Sequence, residues 1–255
     1  MNITLNPAIA NNYTSKCQKS RVITEKWFSD NAYCPACPSS TLDQYKSNTK
    51  VADFHCPRCE ERFQLKAKLG NFSGSIQNSA YAPKIQAIME HRAPNYAFLR
   101  YLPKYTEVID LFIVPNFFFS PDVIQKRNPL SATARRHGWI GSNILLNRLP
   151  IDARLYMVKD GIITSEETVR QSWKQFSFLN KVPVSSKGWF TDVLACVRKL
   201  DKKEFTLDEM YSYTSELGKL HTENRFVQPK IRQQLQVLRD KGILKFTGRG
   251  KYKIL

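Results

Sequence analysis

No apolar run in this 255-residue chain approaches the roughly 18 residues that a membrane helix needs. The opening stretch Met1-Asn2-Ile3-Thr4 lacks a basic region followed by an apolar one, so no secretory signal is expected. Acidic residues are scarce: 22 Asp and Glu stand against 39 Lys and Arg, a net charge of +17. Hydrophobic content of 42% and aromatic content of 12% exclude a disordered basic tail and fit a globular protein. The length suits two domains. Residues 184–255 hold 15 Lys/Arg and 8 Asp/Glu, a net of +7, and the other 183 residues hold 24 and 14, a net of +10. The shared positive charge points to a polyanion touched by both halves, most economically nucleic acid. A basic protein whose charges are merely solvated is the alternative.

Cysteine is concentrated in two knuckles, Cys34-Pro-Ala-Cys37 and Cys56-Pro-Arg-Cys59. Each Cys-x-x-Cys turn lets two sulfurs reach one ion, so the four thiolates suit a tetrahedral zinc site with no open position, hence a structural one. Two disulfides are the alternative. With no secretion signal, metal binding in a reducing, cytoplasmic compartment is the expectation. Cys17 and Cys196 stand apart and read as buried small apolar residues.

A helix is expected from about Tyr13 to Asp30, with Cys17, Ile23, Trp27 and Phe28 on one apolar side. Strands are expected at 51–54, Phe63 to Lys68, Phe98 to Tyr101, Val108 to Val114 and Arg154 to Val158, with a turn at 70–74 and a helix from about Ser79 to Arg92. The order implies an α/β core. Residues 129–144 form a polar stretch in which Arg135, Arg136 and Trp139 are candidate nucleic-acid contacts, or a surface Arg pair beside a core Trp. Val169, Trp173 and Phe176 mark a helix, and Lys181 to Gly188 reads as an interdomain linker.

The last segment predicts a winged helix. Trp189 to Leu200 is amphipathic, Thr206-Leu-Asp-Glu209 has the capping-box form, and Val227 to Lys241 carries Ile231, Leu235 and Leu238 on one face before Gly242. A hairpin with the tip Thr247-Gly-Arg-Gly250 follows. Away from the apolar stripe the third helix offers Lys230, Arg232, Gln233, Gln234, Gln236 and Arg239, and the wing tip offers Arg249. Arg and Gln side chains pair with base edges in the major groove. A winged helix that mediates only protein contacts is the alternative. The expected division is 1–183 for the first domain and 184–255 for the winged helix.

Between the knuckles lies Asp53, and Gln64 and Lys66 alternate on the strand that follows. Strand residues i and i+2 share a face, so both side chains can point towards Asp53 on a neighbouring strand. Phosphodiester hydrolysis needs a divalent cation and a nearby positive charge. Asp53 and the Gln64 amide oxygen suit magnesium, with Leu65 included in the expected metal set, while Lys66 orients or deprotonates water. Asp53, Gln64 and Lys66 are thus the candidate catalytic residues. Glu25, on the first helix, reads as a solvated residue, with a place in the metal site as the alternative.

At these residues the chain resembles the PD-(D/E)xK nucleases and, among them, the DpnI-like methyl-directed restriction endonucleases. The matching segments are Arg21-Val-Ile-Thr-Glu25, Tyr33-Cys-Pro-Ala-Cys37, 51–54 (Val-Ala-Asp-Phe), 68–73 (Lys-Leu-Gly-Asn-Phe-Ser), Thr133-Ala-Arg-Arg-His-Gly-Trp-Ile-Gly141, Lys230-Ile-Arg-Gln-Gln-Leu-Gln236 and Gly248-Arg-Gly-Lys-Tyr252. They span almost the whole chain in order. The resemblance implies a PD-(D/E)xK-type α/β nuclease core with an embedded zinc site and a C-terminal winged helix. It further implies magnesium-dependent cleavage of double-stranded DNA at GATC sites carrying N6-methyladenine, by a type II restriction endonuclease.

One departure stands out. The family pattern expects an acid where this chain has Gln64, which keeps a ligating oxygen but removes one negative charge; retained activity with weaker metal binding is expected. Burying one methyl contributes only about 0.8 kcal/mol, a factor of roughly four, so strong discrimination needs several contacts or penalties against unmethylated adenine. Two modules that each sense the methylated site would supply that repetition, with Trp139 as the candidate apolar wall. A monomer that nicks each strand in turn is the expected state. The competing class is a zinc-containing winged-helix regulator without chemistry, for which Asp53, Gln64 and Lys66 would be dispensable.

Overall fold

The apolar runs Asn95–Tyr101 and Val108–Val114 lie at the middle of a sheet, where both faces are covered and a strand needs no polar alternation. The computed structural model describes residues 1–46, 52–72 and 74–255. Helix α1 (Lys16–Asn31) leads to β1 (Asp43–Gln44), β2 (Phe54–His55), β3 (Arg62–Lys68) and β4 (Ser75–Ala80). Helix α2 (Tyr81–Met89) precedes β5 (Asn95–Tyr101), β6 (Val108–Val114), β7 (Ile124–Pro129) and β8 (Ile140–Leu145). Then come β9 (Leu155–Lys159), β10 (Ile162–Ile163) and α3 (Glu166–Phe176).

The main sheet has seven strands in the order β1-β2-β3-β5-β6-β9-β10. Among the described residues only β3 and β5 pair in parallel, with Gln64 opposite Tyr96 and Lys66 opposite Phe98. The connection between them carries β4 and α2, as a parallel pair requires a crossover. Tyr96, Phe98, Phe112 and Tyr156 form a row of ring contacts across β5, β6 and β9, with centroids 5.0–6.2 Å apart. On α1, Ile23, Thr24, Trp27 and Phe28 are buried, and Phe28 meets Phe54 at 4.8 Å. Ser15 is the N-cap of this helix, so it starts later than Tyr13. Cys17 is exposed, not buried: it falls in the first turn, beside an open cavity of about 480 Å³. Cys196 is buried.

Strands β4, β7 and β8 correct the sequence reading at Ser79–Ala80 and over 140–144, while 130–139 stay a loop. They build a second sheet, order β4-β8-β7, where a helix from Ser79 and a polar stretch were expected. Ser79 and Ala80 close β4, and the helix begins only at Tyr81. Two positions of the sequence reading, Val51 in the expected strand and Ser73 in the expected turn, lie outside the described residues.

The C-terminal part contains α4 (Val184–Lys199), β11 (Glu204–Thr206), α5 (Leu207–Tyr211), α6 (Thr214–Leu220), α7 (Val227–Asp240), β12 (Leu244–Gly248) and β13 (Lys251–Ile254). The strands pair in the order β11-β13-β12, which makes the wing. Thr206 and Glu209 cap α5 reciprocally, as the capping-box pattern requires. Gly242 ends α7 at φ +67°, a conformation open to glycine at no steric cost. Ile231, Leu235 and Leu238 are buried on the inner face of α7.

Lys181 to Gly188 is not an open linker. Helix α4 already begins at Val184, and Lys187 and Gly188 are buried in it. Polar partners from the first part satisfy this helix: Arg148 donates to Asp192 at 3.0 Å, and Arg198 grips both oxygens of Asp152 at 2.6–3.2 Å. His221 lies 2.8 Å from the same Asp192 carboxylate and stacks on Trp189. Among the described residues no helix is long and apolar enough to cross a membrane.

Candidate active site and nucleic-acid interface

The turn between β2 and β3 contains the second knuckle, so the thiolate cluster sits within the hairpin that carries Asp53 and Gln64-x-Lys66. Cys34 and Cys59 sulfurs are 3.6 Å apart, Cys37 and Cys56 sulfurs are 3.5 Å apart, and all four lie within 4.8 Å of one another. Sulfurs at Zn–S distances of ~2.3 Å around a tetrahedron stand ~3.8 Å apart, so the four-cysteine cluster is compatible with zinc. All four thiols are free, and the separations are far beyond the ~2.05 Å of a disulfide, which removes that alternative. Burial pushes the Cys34 thiol up. At Cys56 burial is outweighed by amide hydrogen bonds from Cys59 and Arg58, which bring the thiol down to about 7.

Arg170 on α3 is a supporting residue that the sequence reading missed. Its guanidinium donates to the carbonyls of Cys34 at 3.3 Å, Cys37 at 3.0 Å and Ser39 at 3.3 Å, and lies over the Tyr33 ring. No pattern in the sequence links residue 170 to the first knuckle, because the contact is made only in the fold.

Phe54 pairs with Phe63, and the Asp53 amide donates to the same Phe63 carbonyl at 2.9 Å. Two residues thus face one at the end of the ladder, the arrangement of a β-bulge, which re-aims the Asp53 side chain. Its Oδ2 accepts from the Leu65 amide at 2.8 Å. Burial raises the Asp53 carboxyl above its ordinary value, against the Leu65 N–H and the Lys66 and Arg21 cations. Burial lowers Lys66, and Asp53 partly restores it. The mutual influence brings these two candidates to one place. Gln64 Oε1 is buried without a hydrogen-bond partner, an orphaned acceptor on the strand whose Leu65 amide binds the Asp53 carboxylate. An unpartnered amide oxygen and a carboxylate carried on adjoining segments are donors of the kind that suit a hard cation.

Glu25 departs from the solvated reading. It is half-buried, accepts from Gln44 Nε2 at 3.0 Å, and its carboxyl is raised first by burial and also by the charge of Asp53, against Arg21. The fold brings it near Asp53, whose carboxylate is held by Leu65 between the two strand candidates.

The candidate DNA contacts divide unevenly. Arg135 and Arg136 are exposed in the loop between β7 and β8, and Arg136 lies 4.8 Å over the half-buried Trp139 ring. Trp139 packs so closely on Gly141 that a Cβ there would come within 2.8 Å of its ring. On α7, Arg232 and Gln233 are exposed and Lys230 is half-buried. Gln234 is 5% exposed and therefore does not present its amide to a groove, contrary to the sequence reading. Its place between Ile231 and Leu238 puts it on the inner face. Arg249 is exposed at the wing tip.

A mixed α/β core with a large sheet, an embedded four-thiolate cluster and a C-terminal helix-turn-helix domain is the class that this architecture defines. Residues 1–182 match the Dam-replacing family, DpnI, and residues 185–254 match the Dam-replacing HTH domain. The chain belongs to the Dam-replacing, DpnI family. Membership supports a methyl-directed restriction endonuclease, and the helix-turn-helix domain points to DNA as its partner.

Proposed function

We propose that the protein is a type II restriction endonuclease that cleaves double-stranded DNA at GATC sites containing N6-methyladenine, with magnesium as the hydrolytic ion. In this reading residues 1–183 form the nuclease domain and 184–255 the reading winged helix, acting as a monomer in the cytoplasm. What supports it is the Asp53 carboxylate held by the Leu65 amide and acting on Lys66, with the unpaired Gln64 oxygen on the same strand as Leu65 and Lys66.

Asp53, Gln64 and the Leu65 main-chain carbonyl would hold the magnesium, with Glu25 as a further oxygen. When bound, the ion supplies divalent charge where negative charge develops at phosphorus. The Leu65 amide keeps Asp53 aimed at the site. Lys66, its proton loosened by burial, takes a proton from the attacking water and offsets charge at the phosphate. A zinc ion at Cys34, Cys37, Cys56 and Cys59 would fix the hairpin carrying these groups. Arg135, Arg136 and Trp139 contact the site from the nuclease domain, Trp139 beside the methyl; Lys230, Arg232, Gln233 and Arg249 hold the winged helix to DNA.

Sequencing the ends of fragments made from adenine-methylated DNA tests the specificity. Ends confined to GATC are expected, and ends spread over other sequences would overturn it.

A further inference from the structure

Among the described residues no carboxylate pairs with the buried Lys84. It sits on α2 at 7% exposure, donates to Tyr96 Oη, and holds its ammonium 4.9 Å over the Tyr96 ring. Asn78 Nδ2 donates to the same hydroxyl oxygen at 2.8 Å. Burial, helped by the Lys66 charge, brings Lys84 down to about 8, and no carboxylate among the described residues acts on it. A buried ammonium is costly unless an anion compensates it.

The ammonium borders a cavity of about 280 Å³ whose lining includes Gln64, Ser79, Gln86 and Arg92, and no acid. Gln64 Oε1 and Asn78 Oδ1 are buried without a hydrogen-bond partner. Arg92 already pairs with Glu90, whereas Lys84 has no acidic partner among the described residues. Because Gln64 belongs both to this lining and to the candidate hydrolytic centre, the cavity adjoins that centre.

We propose that this cavity is a backbone-phosphate subsite, in which Lys84 binds the non-bridging oxygens of a DNA phosphate next to the one held at Asp53, Gln64 and Lys66. The inference rests on the nuclease reading of that centre. The shared Gln64 then couples strand placement to hydrolysis: a phosphate seated on Lys84 sets how far the backbone advances over β3. Tyr96, which stands opposite Gln64 in the β3–β5 register, positions the ammonium.

The test compares the parent, Lys84→Met and Tyr96→Phe in binding a methylated duplex without divalent cation, from 50 to 200 mM salt. Each phosphate contact adds about 0.9 to the slope of log affinity against log salt. Lys84→Met, which keeps most of the apolar stem without the charge, should lower the slope by that amount. The parent therefore loses about 3.5-fold more affinity than the variant across this range. Tyr96→Phe removes the acceptor but not the cation and should keep the parent slope. A parent slope in Lys84→Met, with a lowered Tm in both variants, overturns the proposal and leaves Lys84 as a tether for α2. Cutting of methylated plasmid by the parent is measured in parallel: its absence defeats the nuclease reading, whereas the slopes report on the subsite alone.

Discussion

Leu65 donates its amide proton to Asp53 Oδ2 at 2.8 Å, so the strand that carries Gln64 and Lys66 also aims the carboxylate between them. Burial is the largest influence on Asp53 and raises its pKa. The folded chain therefore keeps this proton at pH values where the unfolded chain has released it. Stability falls as pH rises from the unfolded pKa through the folded one. Asp53→Asn removes the penalty and keeps an oxygen for Leu65. Without divalent cation at pH 7.5, the variant should unfold at or above the parent Tm, by at most about 1 kcal/mol once solvent exposure is discounted. The difference should shrink towards pH 5. Thermal unfolding followed by circular dichroism checks this; a variant clearly less stable than the parent at pH 7.5 contradicts it.

In the proposed metal site Gln64 offers a neutral oxygen where an acid would add a negative charge. Gln64→Glu should lower the magnesium concentration needed for half-maximal cutting by several-fold, since one more negative charge faces the ion. An unchanged requirement in a magnesium titration counts against the metal-shell reading.

Much of this site could be read in the sequence because it is local. The Cys-x-x-Cys turns, the alternation of Gln64 and Lys66, the Thr206/Glu209 box and the Gly-rich wing each encode their geometry within a few residues. What escaped depends on distant partners. Ser75–Ala80 and Ile124–Pro129 lack a clean apolar alternation and become strands only by pairing on either side of β8. The segment from Lys181 looked like a linker because its polar residues gave no sign that Arg148 would meet Asp192. Glu25 stands in Arg21-Val-Ile-Thr-Glu25 with nothing nearby to announce Gln44 or Asp53. Gln234 is different: its spacing from Ile231 and Leu238 put it on the apolar stripe, and its amide chemistry outweighed that signal in the reading.

Arg170 ties α3 to the first knuckle through three carbonyls. Arg170→Met should cost about 2–3 kcal/mol, or roughly 5–10 °C in Tm, and speed zinc loss to a chelator. Zinc release measured with a colorimetric chelator checks the second effect. Parental Tm and release rate would show that the knuckle holds itself.

Arg232 and Gln234 are two residues apart on α7 and face opposite ways. Arg232→Ala should weaken duplex binding by about 1–3 kcal/mol, whereas Gln234→Leu should leave it unchanged. Fluorescence anisotropy on one duplex distinguishes them, and equal losses from both substitutions would sink this orientation of the helix.

The central claim is that Asp53, Gln64 and Lys66 cut DNA that carries methylated adenine. One comparison tests it most directly: plasmid with adenine-methylated GATC sites, and the same plasmid unmethylated, incubated with magnesium and either the zinc-loaded parent or Lys66→Ala. The parent should cut only the methylated plasmid, and Lys66→Ala should bind it with parental affinity while cutting at least about 100-fold more slowly. Binding without cutting by the parent, even with manganese, or parental cutting by Lys66→Ala, would contradict the account.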